Sequence, residues 1–283
     1  MKKASLYLEG VAADLYDIAF DWKRNREADF LEACVEAYGG NTPGALLDLA
    51  CGAGHFLLEM QQRGWQVAGV DISAEMIDLA RERLGDHCAL HEACMSDFEV
   101  AEPCDIATCW LNSLTYLLTN EAVTRHLQNV GRALKPGGLY LVDIGFSSWA
   151  HPMWHQPEGD WKPDFSQGWG WSTSRGSLEV YHDGCEGPPC DPMAHTCTEY
   201  MHFRVTDRRS GAVREHTYQS PKRALHPQEF AALVSASGVF DILGWFTDSF
   251  DLNKTLDMKG GMGRGLVLLR RNARGRRIDA CSA

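Results

Sequence analysis

The sequence predicts an α/β protein: a mostly parallel sheet with helices on both faces, carrying an antiparallel β insertion. Three observations point there. Short, near-continuous apolar runs alternate with amphipathic helical patterns through the first half of the chain. From residue 146 the alternation gives way to a stretch rich in Trp, Pro, Gly, Ser and His, followed by strand-like sequence. The alternation then resumes at Pro227.

In chain order, residues 1–40 read as helical and are expected to form a lid. Leu15, Ile18, Ala19 and Trp22 share one face, and Phe30, Leu31, Cys34 and Val35 another, ending at Gly39-Gly40. The core, expected over 41–145, has strands at Ala45–Ala50, Gln66–Val70, His87–Ala93, Asp105–Leu111 and Leu139–Ile144. Helical patterns at Phe56–Arg63, Ala74–Leu84 and Glu121–Leu134 separate them. The insertion, 146–224, shows strand patterns at Leu178–His182, Thr196–Val205 and Val213–Gln219, and is expected to cap a substrate. The core is completed over 225–271 by a helix at Pro227–Ser237, where Pro suits the first turn, and by strands at Val239–Phe246 and Gly265–Leu269. Residues 272–283 are a basic tail, expected to be disordered.

Composition bounds the function. With 45% apolar and 23% charged residues among 283, the chain has the balance of a globular protein. A net charge of −11 argues against a nucleic-acid partner, which calls for a basic surface. No apolar run approaches the roughly 20 residues that span a bilayer. The basic start Met1-Lys2-Lys3 meets Glu9, Asp14 and Asp17 instead of an apolar stretch, so a cytoplasmic protein is expected. Ten scattered cysteines suit a reducing compartment better than a disulfide framework.

The most informative segment is Leu46-Leu47-Asp48-Leu49-Ala50-Cys51-Gly52-Ala53-Gly54-His55-Phe56: a buried strand, a Gly-x-Gly turn, then a helix. Glycine lets the backbone turn tightly and approach a ligand. Asp71 closes the next strand, seventeen residues after Gly54, where an acid can accept ribose hydroxyls. A dinucleotide site would want a third glycine at position 57, which is Leu57. Asp48 suits a ligand that carries positive charge. The pattern therefore favours S-adenosylmethionine (SAM) over NAD.

These residues resemble motif I of class I SAM-dependent methyltransferases, and Asp71 matches that family's ribose-binding acid. Met95-Ser96-Asp97-Phe98 resembles the loop after strand three, whose acid meets the adenine amino group. Asn112-Ser113-Leu114-Thr115-Tyr116-Leu117 resembles the substrate-facing loop after strand four, and Leu134-Lys135-Pro136-Gly137-Gly138-Leu139 the turn before strand five. The resemblance implies the Rossmann-like class I methyltransferase fold with a seven-stranded, mostly parallel sheet. Within the family the chain is similar to small-molecule N-methyltransferases of the glycine and amino-sugar types, through Tyr16-Asp17, the loop at Asn112 and the insertion after strand five. That group often carries His where this chain has Tyr116.

The resemblance implies a cofactor site of Tyr16, Trp22, Asp48, Ala50, Gly52, Gly54, Asp71, Ile72, Met76, Ser96, Asp97 and Leu111. It implies that Tyr16, Asn112 and Tyr116 act on the acceptor, a small-molecule amine. Two other readings stay open: O- or C-methylation of an aromatic or polyketide-like metabolite, and SAM binding without transfer. In the insertion, Trp149, Trp154, Trp161, Trp169 and Trp171 are candidates to line a substrate pocket. His182, Cys185, Cys190, His195 and Cys197 lack the paired spacing of a structural zinc site, and no metal is expected.

Overall fold

The computed structural model describes residues 13–40, 42–85, 88–146, 162–165, 168–256 and 263–272. Its elements are α1 (Ala13–Ala19), α2 (Asn25–Ala37), β1 (Ala45–Leu49), α3 (His55–Gln62), β2 (Gln66–Asp71), α4 (Ala74–Leu84), β3 (Ala89–Glu92), β4 (Cys104–Cys109), α5 (Asn120–Ala133), β5 (Leu134–Gly145), β6 (Trp169–Arg175), β7 (Leu178–Asp191), β8 (Thr196–Asp207), β9 (Val213–Arg223), α6 (Pro227–Ser237), β10 (Phe240–Thr247) and β11 (Arg264–Arg271). They fall into two compact units. One comprises the described residues of Met1–Lys23 and Trp149–Ala224, the other those of Arg24–Ser148 and Leu225–Ala283. Trp149, Trp154 and Trp161, and the tail from 273, lie outside the described residues.

The larger unit holds a seven-stranded sheet in the order β10-β11-β5-β4-β1-β2-β3. Strands β3, β2, β1, β4 and β5 run parallel, and β11 runs antiparallel to both β5 and β10. This is the class I methyltransferase fold. Period-two alternation explains its two covered faces, because successive side chains of a strand point to opposite sides. Leu47, Tyr140, Val142 and Val267 pack with Val123 and Leu127 of α5 and Phe230 of α6. Their chain neighbours Leu46, Leu139, Leu141 and Leu266 pack with Leu31 of α2, Leu57 of α3 and Ala80 of α4.

The expected turn at Lys135–Gly138 is instead part of β5. Leu134 pairs with Cys104 and Leu139 with Ile106, so a longer stretch of β5 faces a shorter one of β4. The surplus bulges out to solvent with Gly137 at φ +78°. Strand β3 is shorter than the expected His87–Ala93, whereas α4 and α6 have the expected bounds.

The smaller unit is α1 with an antiparallel sheet in the order β6-β7-β8-β9. Asp17, buried, accepts a hydrogen bond from Arg175 Nη1 at 2.6 Å. The carbonyls of Ile18 and Ala19 accept from Thr173 Oγ1 and Trp171 Nε1, each at 2.6 Å. Strand β6 escaped the sequence reading because Trp-Gly-Trp-Ser-Thr-Ser looks like a loop. Gly170 is needed there: a Cβ would stand 2.9 Å from Asp183 Cβ and from the Tyr181 hydroxyl. His182 stacks on Phe203 at 4.3 Å, and Cys190 and Cys197 share a small buried cluster with Ala224.

Candidate functional site

Sheet order locates a crevice. The chain leaves β1 through α3 on one face and leaves β4 through α5 on the other, so the carboxyl ends of these neighbours open onto a switch point, where open α/β sheets bind ligands. Both ends are conformationally unusual. Ala50, Gly52 and Gly54 follow β1 with φ of +55°, +54° and +77°, and Leu111 and Asn112 follow β4 at +55° and +62°. For a residue with a Cβ the left-handed region costs roughly 1–2 kcal/mol, and such strain concentrates at functional sites. A Cβ on Gly54 would press on Leu84 Cδ1 and Ala80 Cβ of α4, at 3.0 and 3.2 Å. Around Gly52 the Cβ direction is open, so bare backbone faces the crevice.

Asp71 ends β2 beside this turn. Its Oδ2 accepts from Gly52 N at 2.8 Å and its Oδ1 from Ser73 N at 2.9 Å, so one carboxylate fixes both the glycine turn and the entry to α4. Burial raises its pKa, against the lowering effect of the amides of Ser73, Gly52 and Ile72. Next in chain, Ile72 is 44% exposed, an apolar side chain held open beside the acid, while Met76 is buried in the first turns of α4.

Asp48, 3% exposed, accepts from Thr108 Oγ1 at 2.6 Å. Burial pushes its carboxyl up to about 7, against the pull of that hydroxyl and of the Arg24 charge, with Asp71 adding to the rise. Raised above its unfolded value, this group favours folding most at low pH and loses that contribution as pH rises through about 7. A cationic ligand beside it favours the ionised form. SAM affinity is therefore expected to rise severalfold from about pH 6 to about pH 7.5 with proton release. Titration calorimetry in buffers of different ionisation enthalpy measures that proton, and Asp48→Asn is expected to abolish it.

The loop after β3 is pinned from α5. Asn129 Nδ2 donates to the Ser96 carbonyl at 2.6 Å. Met95 O can only accept, so the Nδ1–H of His126 donates to it at 2.7 Å, and the Tyr140 hydroxyl donates to Nε2 at 2.7 Å. Ser96 is buried and Asp97 exposed.

After β4, Leu111 N donates to Asp143 Oδ2 at 2.8 Å, and Gly145 N donates to the Asn112 side-chain oxygen at 2.8 Å. Arg264 grips Asp143 with Nε at 2.7 Å and with Nη2. Tyr116 is half-buried in a 3-10 turn, Ser113–Tyr116. The preceding Trp110 packs edge-on against Phe56 at 5.0 Å, and its buried Nε1–H has no acceptor.

The structure thus gathers Asp48, Ala50, Gly52, Gly54, Asp71, Ile72, Leu111 and Asn112 at adjoining strand ends of one unit. Tyr16 and Trp22 belong to the other, where both pack on Phe20, at 4.1 and 5.5 Å. Sequence reasoning missed Arg24, Thr108, Trp110, His126, Asp143 and Arg264. A buried acid inside the apolar run Leu-Val-Asp-Ile was the available signal for Asp143.

These residues fit SAM. An acid with bare backbone beside it suits a ribose, and exposed Ile72 suits a flat base. The raised Asp48 suits positive charge, and the orphaned Trp110 N–H suits an acceptor such as a carboxylate.

Residues 46–138 match the family model described as a methyltransferase domain. The dTDP-3-amino-3,4,6-trideoxy-alpha-D-glucopyranose N,N-dimethyltransferase of Streptomyces venezuelae is 27% identical over 235 residues, covering 80% of this chain and 89% of that protein. The dTDP-4-amino-2,3,4,6-tetradeoxy-D-glucose N,N-dimethyltransferase of Saccharopolyspora spinosa is 30% identical over 133 residues, 46% of this chain and 53% of its own length. Among solved structures, SAM-bound CalS10, an amino pentose methyltransferase from Micromonospora echinaspora, superposes with a TM-score of 0.65 at 20% identity, over 92% of this chain and 95% of that one.

Proposed function

We propose that this chain acts as a class I SAM-dependent methyltransferase and methylates the amine nitrogen of a small, sugar-type acceptor. One observation carries the acceptor. Likeness to an amino-sugar N,N-dimethyltransferase runs over 235 residues, well beyond the matched core at 46–138. These relatives do not favour the O- or C-methylation reading or that of a binder without turnover.

When bound, the cofactor supplies a methyl group on a sulfonium, already activated for in-line displacement. The residues then have positioning and protonic work. Asp71 accepts the ribose hydroxyls, Ile72 and Met76 form the apolar side of the base, and Ser96 and Asp97 meet its amino edge. Ala50, Gly52, Gly54 and Leu111 present backbone, and Asp48 opposes the positive charge. Tyr16 and Trp22 are assigned to the cofactor on the resemblance alone. Asn112 and Tyr116 face the acceptor. An amine with a pKa near that of Lys, about 10.4, attacks only when neutral, so Tyr116 orients it and passes its proton on to solvent, a role the resemblance gives Tyr16 as well. Holding the reactants in line supplies roughly 7–11 kcal/mol of barrier reduction in favourable cases.

A cytoplasmic enzyme without a nucleic-acid partner fits this reading. The nine described cysteines are free thiols, no described helix is long and apolar enough to cross a membrane, and the net charge is −11.

The test pairs a dTDP-linked amino sugar with its hydroxyl counterpart and a phenol, each incubated with enzyme and SAM. Methyl located on nitrogen by NMR, with the other two unchanged, is the expected result. Methylation of oxygen with the amine untouched contradicts the reading, as does tight SAM binding without turnover on any amine.

A further inference from the structure

Resting on the SAM site proposed above, we propose that Asp143, tethered by Arg264, is the positioning residue that sets the grip on the cofactor's amino-acid arm. Asp143 lies inside β5, paired with Leu266 of β11, and is fully buried, yet its carboxylate bonds neither strand backbone nor the glycine turn. Its Oδ2 accepts the amide of Leu111, and Arg264 clamps the same carboxylate from β11, 121 positions further along the chain. Beside it, Asn112 takes its side-chain oxygen to Gly145 N. Two adjacent left-handed residues with side chains, Leu111 and Asn112, are thereby fastened to the end of β5 at two points.

Sheet order says which part of the ligand that turn meets. The ribose acid Asp71 closes β2, and the loop carrying Ser96 and Asp97 follows β3. β4 lies on the other side of β1 from these strands, about two strand spacings, roughly 10 Å, from β2. A ligand with its adenosine on β2 and β3 that crosses the glycine turn therefore lays its other end on Leu111. That end of SAM is an ammonium-bearing amino acid, suited to backbone carbonyls held in a fixed direction.

An ion pair whose acid is fully buried while its arginine is partly exposed adds little net stability, so what this pair supplies is a fixed conformation at the turn. The pair keeps Leu111 out of the extended region in which a leucine leaving a strand would otherwise lie. Asp143 touches no reacting atom in this account; it acts through the Leu111 amide.

The experiment compares two ligands on folded protein: S-adenosylhomocysteine, which carries the amino-acid arm, and 5′-methylthioadenosine, which lacks it. For Asp143→Asn, calorimetry is expected to show roughly tenfold weaker binding of the first, with the second unchanged within about twofold. Arg264→Lys keeps the charge without the fork and is expected to fall between wild type and Asp143→Asn. It also serves if Asp143→Asn does not fold, because the Arg264 side chain is 37% exposed. Equal loss for both ligands, or no loss for either, overturns the proposal. Wild-type protein that binds neither ligand overturns the underlying SAM reading as well, and that failure is visible before any variant is made.

Discussion

Asp71→Ala is expected to weaken binding of S-adenosylhomocysteine at least about a hundredfold. A hydrogen bond to a charged group is worth roughly 1.5–3 kcal/mol, and 1.4 kcal/mol is a factor of ten in affinity. Loss of two ribose hydroxyl contacts therefore already reaches that size. The truncation also frees the Gly52 and Ser73 amides, which Asp71 accepts at 2.8 and 2.9 Å, so the glycine turn loses its anchor. Asp71→Asn separates the two effects. It keeps an oxygen for one amide but turns an N–H toward the other, so binding falls while much of the fold survives. Calorimetry of both variants, with melting curves alongside, measures the division. Affinity close to wild type in Asp71→Ala would remove the acid from the site.

His126→Leu is expected to lower stability by about 2 kcal/mol, because it leaves the part-buried Met95 carbonyl without this donor and takes one of its partners from the buried Tyr140 hydroxyl, which keeps Cys109. The imidazole also gives this region a pH signature. Burial lowers its pKa from 6.5 to about 4, so the unfolded chain takes up the proton first. Stability from the neutral ring is complete above pH 6.5 and drains away as pH falls through the interval down to about 4. Asp48 titrates in the opposite sense, its raised pKa favouring the folded state on acidification. The clean measurement is therefore the difference between wild type and His126→Leu in denaturant melts across that interval. The difference should shrink toward acid. A constant difference would mean that the ring takes up its proton equally in the folded and unfolded states, and one that grows toward acid that it is charged when folded.

Local chemistry accounts for what the sequence disclosed. The turn at Gly52 and Gly54, Asp71 and the helix opened by Pro227 each depend on a few neighbouring residues, and each lies where the pattern puts it. The antiparallel β7, β8 and β9 were legible in part, but their length was not, since pairing extends them past their apolar stretches. β6 was invisible because its strand character comes from pairing with β7 rather than from its own composition. Long-range partnerships were out of reach for the same reason. Asp143 and Arg264 meet across the sheet, and His126 of α5 supports a loop that precedes it by thirty-one positions. Asn112 is instructive: sequence placed it toward the substrate, and in the structure its side-chain oxygen is engaged by Gly145 N, leaving its role on the acceptor a proposal.

Hydrogen exchange measured with and without S-adenosylhomocysteine reads occupancy of the cofactor site itself, since it needs no acceptor and no variant. Slowed exchange is expected at the amides after β1 around Gly52, those after β2 from Ile72 to Met76, the Ser96–Asp97 loop, and Leu111 after β4. Saturating ligand that leaves those four segments unchanged, or protects a different face of the sheet, would contradict it.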